Sequence, residues 1–316
     1  HRGAPSCGEE SILKAQALRT TLFRLQHRHA PYIFVAPFVI VFVVFMLYPL
    51  INSMILAFYV TSGPKSQVFV GLANFAFLLQ DPDFHTAVKN TVVYATCSVF
   101  LQLPLSLGLA MLLNHGALKA RNFFRLSFFS PNLVGQVFVG VLFSVIFIPK
   151  FGLLNRVLNA LFEVPIDTRW LGSPELVMPA LVLTSLWMYV GFNMIYFLAA
   201  LQTIDAQLYE AADVDGASPW RKFLHVTVPG IRPVAVFVIV LSTIGSFQLF
   251  ELPYVMLENT AGPDNAGLTI VMYLYQNGWI LGDLGFAAAI GWMLTAGVLT
   301  ISLIQMGLTG SWKRQD

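Results

Sequence analysis

Residues 209–229 read YEAADVDGASPWRKFLHVTVP, a polar, glycine-broken stretch inside a chain that is otherwise mostly apolar. Glu210 stands beside Ala211 and Ala212, a carboxylate next to a patch without bulk, which suits the close approach of another protein. A plain amphipathic loop on the inner leaflet is the competing reading. The local signals are those of a helix-turn-helix. Asp205 can cap a helix running through Leu208, Ala211 and Ala212, Gly216 can end it, and Ser218 with Pro219 can start a second. On that second helix Trp220, Phe223 and Leu224 share a face. Arg221 and Lys222 fall in its first turn, where positive charge opposes the helix dipole by about 0.3–1 kcal/mol each and calls for an outside anion such as a lipid phosphate or an acidic partner.

A second group of residues could bind rather than dock. Trp187, Tyr189, Asn193, Gln248, Glu251 and Tyr254 offer the amide, carboxylate and aromatic faces that hold sugar hydroxyls and apolar sugar faces. Interhelical hydrogen bonding is the competing role for each. A carboxylate such as Glu251 costs about 2.5–3.5 kcal/mol at the centre of a bilayer, so it is expected to face the interior or water.

The elements that must carry these residues are membrane helices. Of 316 residues 57% are hydrophobic and 11% charged, whereas soluble domains carry about 25% charged residues. The net charge of +2 is too small to argue for nucleic acid. Six segments reach the roughly 20 apolar residues a crossing needs, at about 32–60, 89–113, 126–148, 175–201, 234–257 and 284–308. Backbone groups in lipid must be satisfied within the segment and strict alternation is missing, so helices are expected and a β-barrel is not. This divides the chain into a tail at 1–31, a membrane domain at 32–308 with a polar loop at 202–233, and a tail at 309–316. Residues 1–31 lack the apolar core of a cleaved signal peptide, so the first span is expected to remain as an anchor.

Thirteen of the 18 Lys and Arg fall on one side: Arg2, Lys14, Arg19, Arg24, Arg28, Lys119, Arg121, Arg125, Arg221, Lys222, Arg232, Lys313 and Arg314. Lys65, Lys89, Lys150, Arg156 and Arg169 fall on the other, which places both termini and the 202–233 loop in the cytoplasm. On the outer side GLLNRVLNALF at 152–162 reads as a surface helix, with Leu153, Leu154, Val157, Leu158, Leu161 and Phe162 on one face and Asn155, Arg156 and Asn159 opposite. Pro37, Pro49, Pro104, Pro131, Pro149, Pro179 and Pro253 punctuate the spans, each freeing a carbonyl that must find another partner or line a wet cavity. Gly285, Ala287, Ala289 and Gly291 permit a close helix neighbour. An aromatic belt accounts for Trp170 and Trp312. Cys7 and Cys97 are not expected to pair, and the six histidines (His1, His27, His29, His85, His115 and His225) are scattered, so neither a metal site nor a catalytic constellation is expected.

The 209–229 stretch resembles the EAA motif of the permease subunits of bacterial ABC importers. Glu210, Ala211, Ala212, Asp215, Gly216, Ala217, Phe223 and Pro229 stand at its positions, with Val226 and Val228 where the sugar-importing branch usually has Ile and Leu. Residues 71–94, 152–158, 170–175, 198–218, 250–266 and 285–294 are also similar to that branch. The resemblance implies an all-α type I importer permease with six transmembrane helices and a cytoplasmic coupling helix, in the bacterial inner membrane. It implies a second permease, two ATPase subunits that bind ATP and Mg, and an external or periplasmic solute-binding protein as partners, with a sugar, oligosaccharide or polyol as cargo. It also implies that Glu210 pairs with a basic ATPase group and that Gly216 holds the turn. The chain itself has no G-x-x-x-x-G-K-[ST] loop for ATP. A permease for a non-sugar solute remains an alternative. An ion-coupled secondary transporter is the rival class, and it would need an intramembrane ion site for which Glu251 has no clear partner.

Overall fold

The computed structural model describes residues 30, 32–63, 66–115 and 120–309. Apart from positions 30 and 309, the two expected tails lie outside the described residues, with all their charges, Cys7, His1, His27, His29 and Trp312; so do Lys65 and Lys119. The chain divides after Leu56 into two compact units. The first unit contributes helix α1, Tyr32–Leu56, with a π turn at Val43–Leu47.

The second unit opens with an antiparallel hairpin, β1 (Tyr59–Thr61) and β2 (Gln67–Phe69), in which Tyr59 faces Phe69. Helices α2 (Ala73–Leu78), α3 (Pro82–Asn114), α4 (Arg121–Phe129), α5 (Gln136–Ile146), α6 (Leu153–Phe162), α7 (Pro174–Leu201), α8 (Ala206–Val214), α9 (Pro219–Met256), α10 (Ile270–Tyr275) and α11 (Leu284–Leu308) follow. Among the described residues α1, α3, α7, α9 and α11 are each long and apolar enough to cross a bilayer, and the α4–α5 pair supplies a sixth span if counted as one. The fold is all-α and membrane-spanning, as the composition requires.

The third apolar stretch differs from the single helix expected over 126–148. α4 and its 3-10 extension to Leu133 meet α5 at 98°. Pro131 has no N–H to continue the ladder, and Gly135 is extended (φ −61°, ψ 144°). At 1.5 Å per residue the 11 residues of α5 rise about 16 Å, roughly half of the 30 Å hydrocarbon core. The bend is held by α7. A Cβ on Gly191 would stand 1.7 Å from the Phe128 carbonyl oxygen, so the α4 backbone rests directly on the α7 backbone. Across the other face of α7, the Ser106 hydroxyl of α3 donates to the Val190 carbonyl at 2.9 Å.

Other boundaries also shift. α3 begins seven residues before the expected edge at 89, because Asp81 caps it (its carboxylate accepts from the Asp83 N–H at 3.1 Å) with Pro82 in the first turn. α9 begins at Pro219 rather than 234, so the basic end of the polar loop is continuous with the fifth span. α6 is the expected outer helix with a different seating. Asn155 is fully buried, donating to the Thr168 carbonyl at 2.9 Å and accepting the Trp170 indole N–H at 2.7 Å, while Leu153, Leu161 and Phe162 are exposed. Its amide satisfies groups of the 163–173 loop that would otherwise be orphaned, and it gives Trp170 a structural partner beyond the membrane interface. The small residues of α11 do receive a neighbour: a Cβ on Gly278 would lie 2.7 Å from the Ala287 Cβ, and one on Gly291 3.3 Å from Leu274.

Asp283 caps α11 and also accepts from the N–H and hydroxyl of Thr61, tying the hairpin to the last span. The Tyr273 hydroxyl donates to Asp81. Burial, and then the Asp81 carboxylate, raise the Tyr273 pKa above its ordinary value of 10.0. A raised folded-state value means that this contact supports the fold at all pH below about 10 and is lost as pH climbs beyond it.

Two outcomes are expected. Gly191→Ala drives a methyl group into the Phe128 carbonyl and lowers stability by about 1–3 kcal/mol or more, read as a lower thermal midpoint and loss of the monodisperse peak in detergent; an unchanged midpoint contradicts the contact. In an alkaline absorbance titration Tyr273→Phe leaves the number of tyrosines ionising near pH 10 unchanged, because Tyr273 is not among them.

Candidate functional site

The polar loop folds as a helix, a left-handed turn and a second helix. Asp205 accepts from the Gln207 N–H at 2.9 Å, starting α8. At the far end Gly216 takes φ +68°, the Gly216 N–H donates to the Asp213 carbonyl (3.1 Å) and the Ala217 N–H to the Ala212 carbonyl (2.9 Å). That pair of bonds is a Schellman closure, which needs a left-handed residue at the glycine position. A Cβ on Gly216 would meet nothing within 4 Å, so the requirement is for the backbone angle and not for space. Ser218 then caps α9 by accepting from the Arg221 N–H at 3.4 Å.

Two ties fasten α8 to α9. The Tyr209 and Thr227 hydroxyls are 2.9 Å apart, and Lys222 pairs with Asp213. The latter partner supplies from within the loop the anion that Lys222 was expected to find outside; as an exposed pair it contributes about 0–1 kcal/mol. Arg221 remains exposed. Trp220 stacks on Phe223 at 5.3 Å, and a π turn at Phe223–Thr227 precedes Pro229, which has no N–H for a carbonyl four residues back. Of the EAA-like positions, Glu210, Ala211, Asp215 and Gly216 are exposed, Ala212 and Ala217 half-buried, and all six lie on α8 and its closing turn. Phe223 (half-buried) and Pro229 (exposed) belong to α9. Among the described residues Glu210 makes no hydrogen bond or ion pair. Leu208 (54%), Val214 (89%) and Trp220 (66%) are exposed apolar side chains around it.

The second site is a cavity of about 340 Å³ between α3, α5, α7 and the outer part of α9. Tyr189, Asn193, Gln248 and Glu251 line it together. Trp187 does not: it is 43% exposed and packs on Phe143 at 5.4 Å. Tyr254 is also elsewhere, in a cluster with Phe250 and Tyr275. The cavity adds Tyr94, Ser98 and Gln102 from α3, Gln136 from α5, Ser185 from α7 and Ser242 and Ser246 from α9. Their signal was present, since Tyr94, Ser98 and Gln102 recur every fourth residue along an otherwise apolar span, a polar stripe on one helical face. Gln136 donates to the Tyr189 hydroxyl at 2.7 Å and Asn193 to the Ser242 hydroxyl at 3.3 Å, so the wall is partly bonded to itself. The helix of α9 is interrupted at residues 248–250, and Glu251 opens the next turn, facing the cavity. A carboxylate and a broken ladder at this depth are tolerated where they border a polar void. Hydroxyls, amides, two phenol rings and one carboxylate can exchange hydrogen bonds with a polyhydroxylated solute and offer no basic group. Among the described residues no cluster of metal-binding side chains occurs.

A helical membrane domain with an exposed polar loop and a polar cavity has the build of a transport protein. Residues 102–310 match the family described as the binding-protein-dependent transport system inner membrane component, and the chain belongs to it. The chain is 42% identical to the arabinooligosaccharides transport system permease protein AraP of Bacillus subtilis (strain 168), over 90% of each chain. It is 34% identical to the lactose transport system permease protein LacF of Rhizobium radiobacter, over 87% of this chain and 92% of that one. A chain of a bacterial ABC transporter involved in the import of the acidic polysaccharide alginate superposes with a TM-score of 0.79 at 25% identity, covering 93% of this chain and all of that one. The protein is therefore a multi-pass inner-membrane transport component, an ABC importer permease.

The Schellman turn makes a graded prediction. Gly216→Asn, which tolerates left-handed angles, keeps the loop's resistance to limited proteolysis, and Gly216→Val opens it, at a cost of about 1–2 kcal/mol. Equal behaviour of the two variants contradicts the backbone-angle requirement.

Proposed function

We propose that this chain carries a sugar or oligosaccharide inward as one of two permeases. It is driven by two ATPase subunits that hold ATP and Mg and is supplied by a solute-binding protein outside the membrane. Both termini and the α8 loop face the cytoplasm. The observation that carries this reading is the exposed end of α8. Among the described residues the Glu210 carboxylate has no partner, and it shares an uncovered surface with the small Ala211 and three exposed apolar side chains. Apolar side chains held out on a polar loop mark a protein contact. The sugar class is supported by the names of the relatives, which import arabinooligosaccharides and lactose, and by a cavity wall of hydroxyls and amides. In this arrangement α8 docks on the ATPase. Glu210 pairs with a basic group there and Ala211 and Ala212 admit its surface, while Asp215, Gly216 and Ala217 close the helix. Phe223 and Pro229 begin the span that leads to the cavity. Tyr189, Asn193, Gln248 and Glu251 hold the solute in passage. Trp187 and Tyr254 lie outside the cavity and are not part of this wall.

The test is reconstitution with the companion permease, ATPase and binding protein, scoring ATP hydrolysis and uptake of labelled arabinotriose and lactose. Glu210→Ala and Gly216→Pro lose both activities while the membrane subunits stay folded. Asn193→Ala keeps stimulated ATP hydrolysis and lowers uptake about tenfold, the loss of roughly one good hydrogen bond in transit. Uptake that persists without any ATPase, or that follows an ion gradient, overturns the reading.

A further inference from the structure

A second void is unlike the first. About 450 Å³ lies between the ends of α3, α7 and α9 that approach Thr309, and its wall is almost wholly apolar. Leu103, Phe197 and Ile231 form a buried floor, with Pro104 and Leu107 of α3 beside them, and Val228 stands exposed at the rim. One charged side chain borders it: Arg232, exposed, with one guanidinium N–H on the Thr309 carbonyl. A guanidinium carries five N–H donors, so four remain. Among the described residues no carboxylate lines the void. His225 and Arg221 are exposed on the same helix, about 10 and 16 Å before Arg232 at 1.5 Å per residue.

The position is that of a membrane interface. Arg232 stands at the level of the ends of α3, α7 and α11. From Asn114, where α3 ends, back to Leu103 is about 16 Å at 1.5 Å per residue, close to half of the 30 Å hydrocarbon core. The groove therefore runs from headgroup depth to the middle of the bilayer, the reach of one acyl chain. A hydroxyl-rich solute finds almost no hydrogen-bonding partner along it, in contrast to the central cavity.

We infer that this groove binds an anionic phospholipid. An acyl chain lies against Leu103, Pro104 and Leu107, and the phosphate is held by Arg232. Basic side chains between membrane helices at the headgroup level are attracted to anionic lipid by charge, and the guanidinium fork matches a phosphate. The lipid would brace the base of α9, where the α8 loop joins the span.

The experiment purifies the protein with its co-purifying subunits from mixed micelles holding equal phosphatidylglycerol and phosphatidylcholine, and reads retained lipid by native mass spectrometry. Phosphatidylglycerol is retained several-fold over phosphatidylcholine. Arg232→Gln lowers that retention about tenfold, the factor expected for one charge-assisted contact, and Arg232→Lys restores most of it. Ala235→Trp, which fills the groove and leaves the charge, removes both lipids. An excess of inorganic phosphate does not displace the lipid. Equal retention of the two lipids, displacement by phosphate alone, or retention unchanged in Ala235→Trp overturns the inference. So does an efficient disulfide between Ala235→Cys and a span of another subunit, which would show the groove covered by protein.

Discussion

Every backbone N–H and C=O at membrane depth must be satisfied without water, and the rest of this structure follows from how the chain meets that constraint. Along α3 and α7, whose ladders lack an interior donor only at Pro104 and Pro179, hydroxyls are spent on the helix itself or on a neighbour. Thr91 donates to the Ala87 carbonyl, Thr184 to Ala180, and Ser106 to both Gln102 and Val190. Where the ladder is broken, the break has a specific place to go. The turn between α4 and α5 leans on the α7 backbone at Gly191, and the interruption at residues 248–250 borders the polar cavity. At these two places protein or a polar void stands where it can take over the role of the missing hydrogen bond.

The same constraint connects the two functional regions. α9 runs from the Ser218 cap to the interruption at the cavity, so the polar loop and one wall of the cavity belong to one element. At its base, the Tyr209–Thr227 contact and the Asp213–Lys222 pair bind α8 to it, and the π turn at Phe223–Thr227 accommodates Pro229. Farther along, α9 meets Asn193 of α7 through Ser242, so contacts run from α8 through α9 to the cavity wall.

The polar groups of the bundle divide by what they face. Asn155, wholly enclosed, is consumed by the Trp170 indole and two carbonyls and has no capacity left for a ligand. Gln248 and Glu251 stand at a break in a helix and border open volume. The residue types overlap, an amide in each case. Whether an amide acts as a tie or as a binding group depends on whether its partners are already present in the fold.

Much was settled by the sequence alone. The density of apolar residues dictates helices across a bilayer. The order Asp205, Gly216, Ser218, Pro219 dictates a helix, a left-handed turn and a second helix, because capping and positive φ are local properties that neighbours within a few residues control. Tyr189, Asn193, Gln248 and Glu251 were legible as part of a polar group, whereas the stripe of Tyr94, Ser98 and Gln102 on α3 went unread until the cavity brought it together with them. Tertiary structure decided what no local rule could. It placed Trp187 and Tyr254 outside the cavity, turned Asn155 of α6 inward, gave Lys222 its partner in Asp213, and bent the third span at Pro131–Gly135 by 98°. Each of these depends on which distant side chain or carbonyl lies within about 3 Å, a fact of packing between elements, and the periodicity of a single helix carries no information about its neighbours.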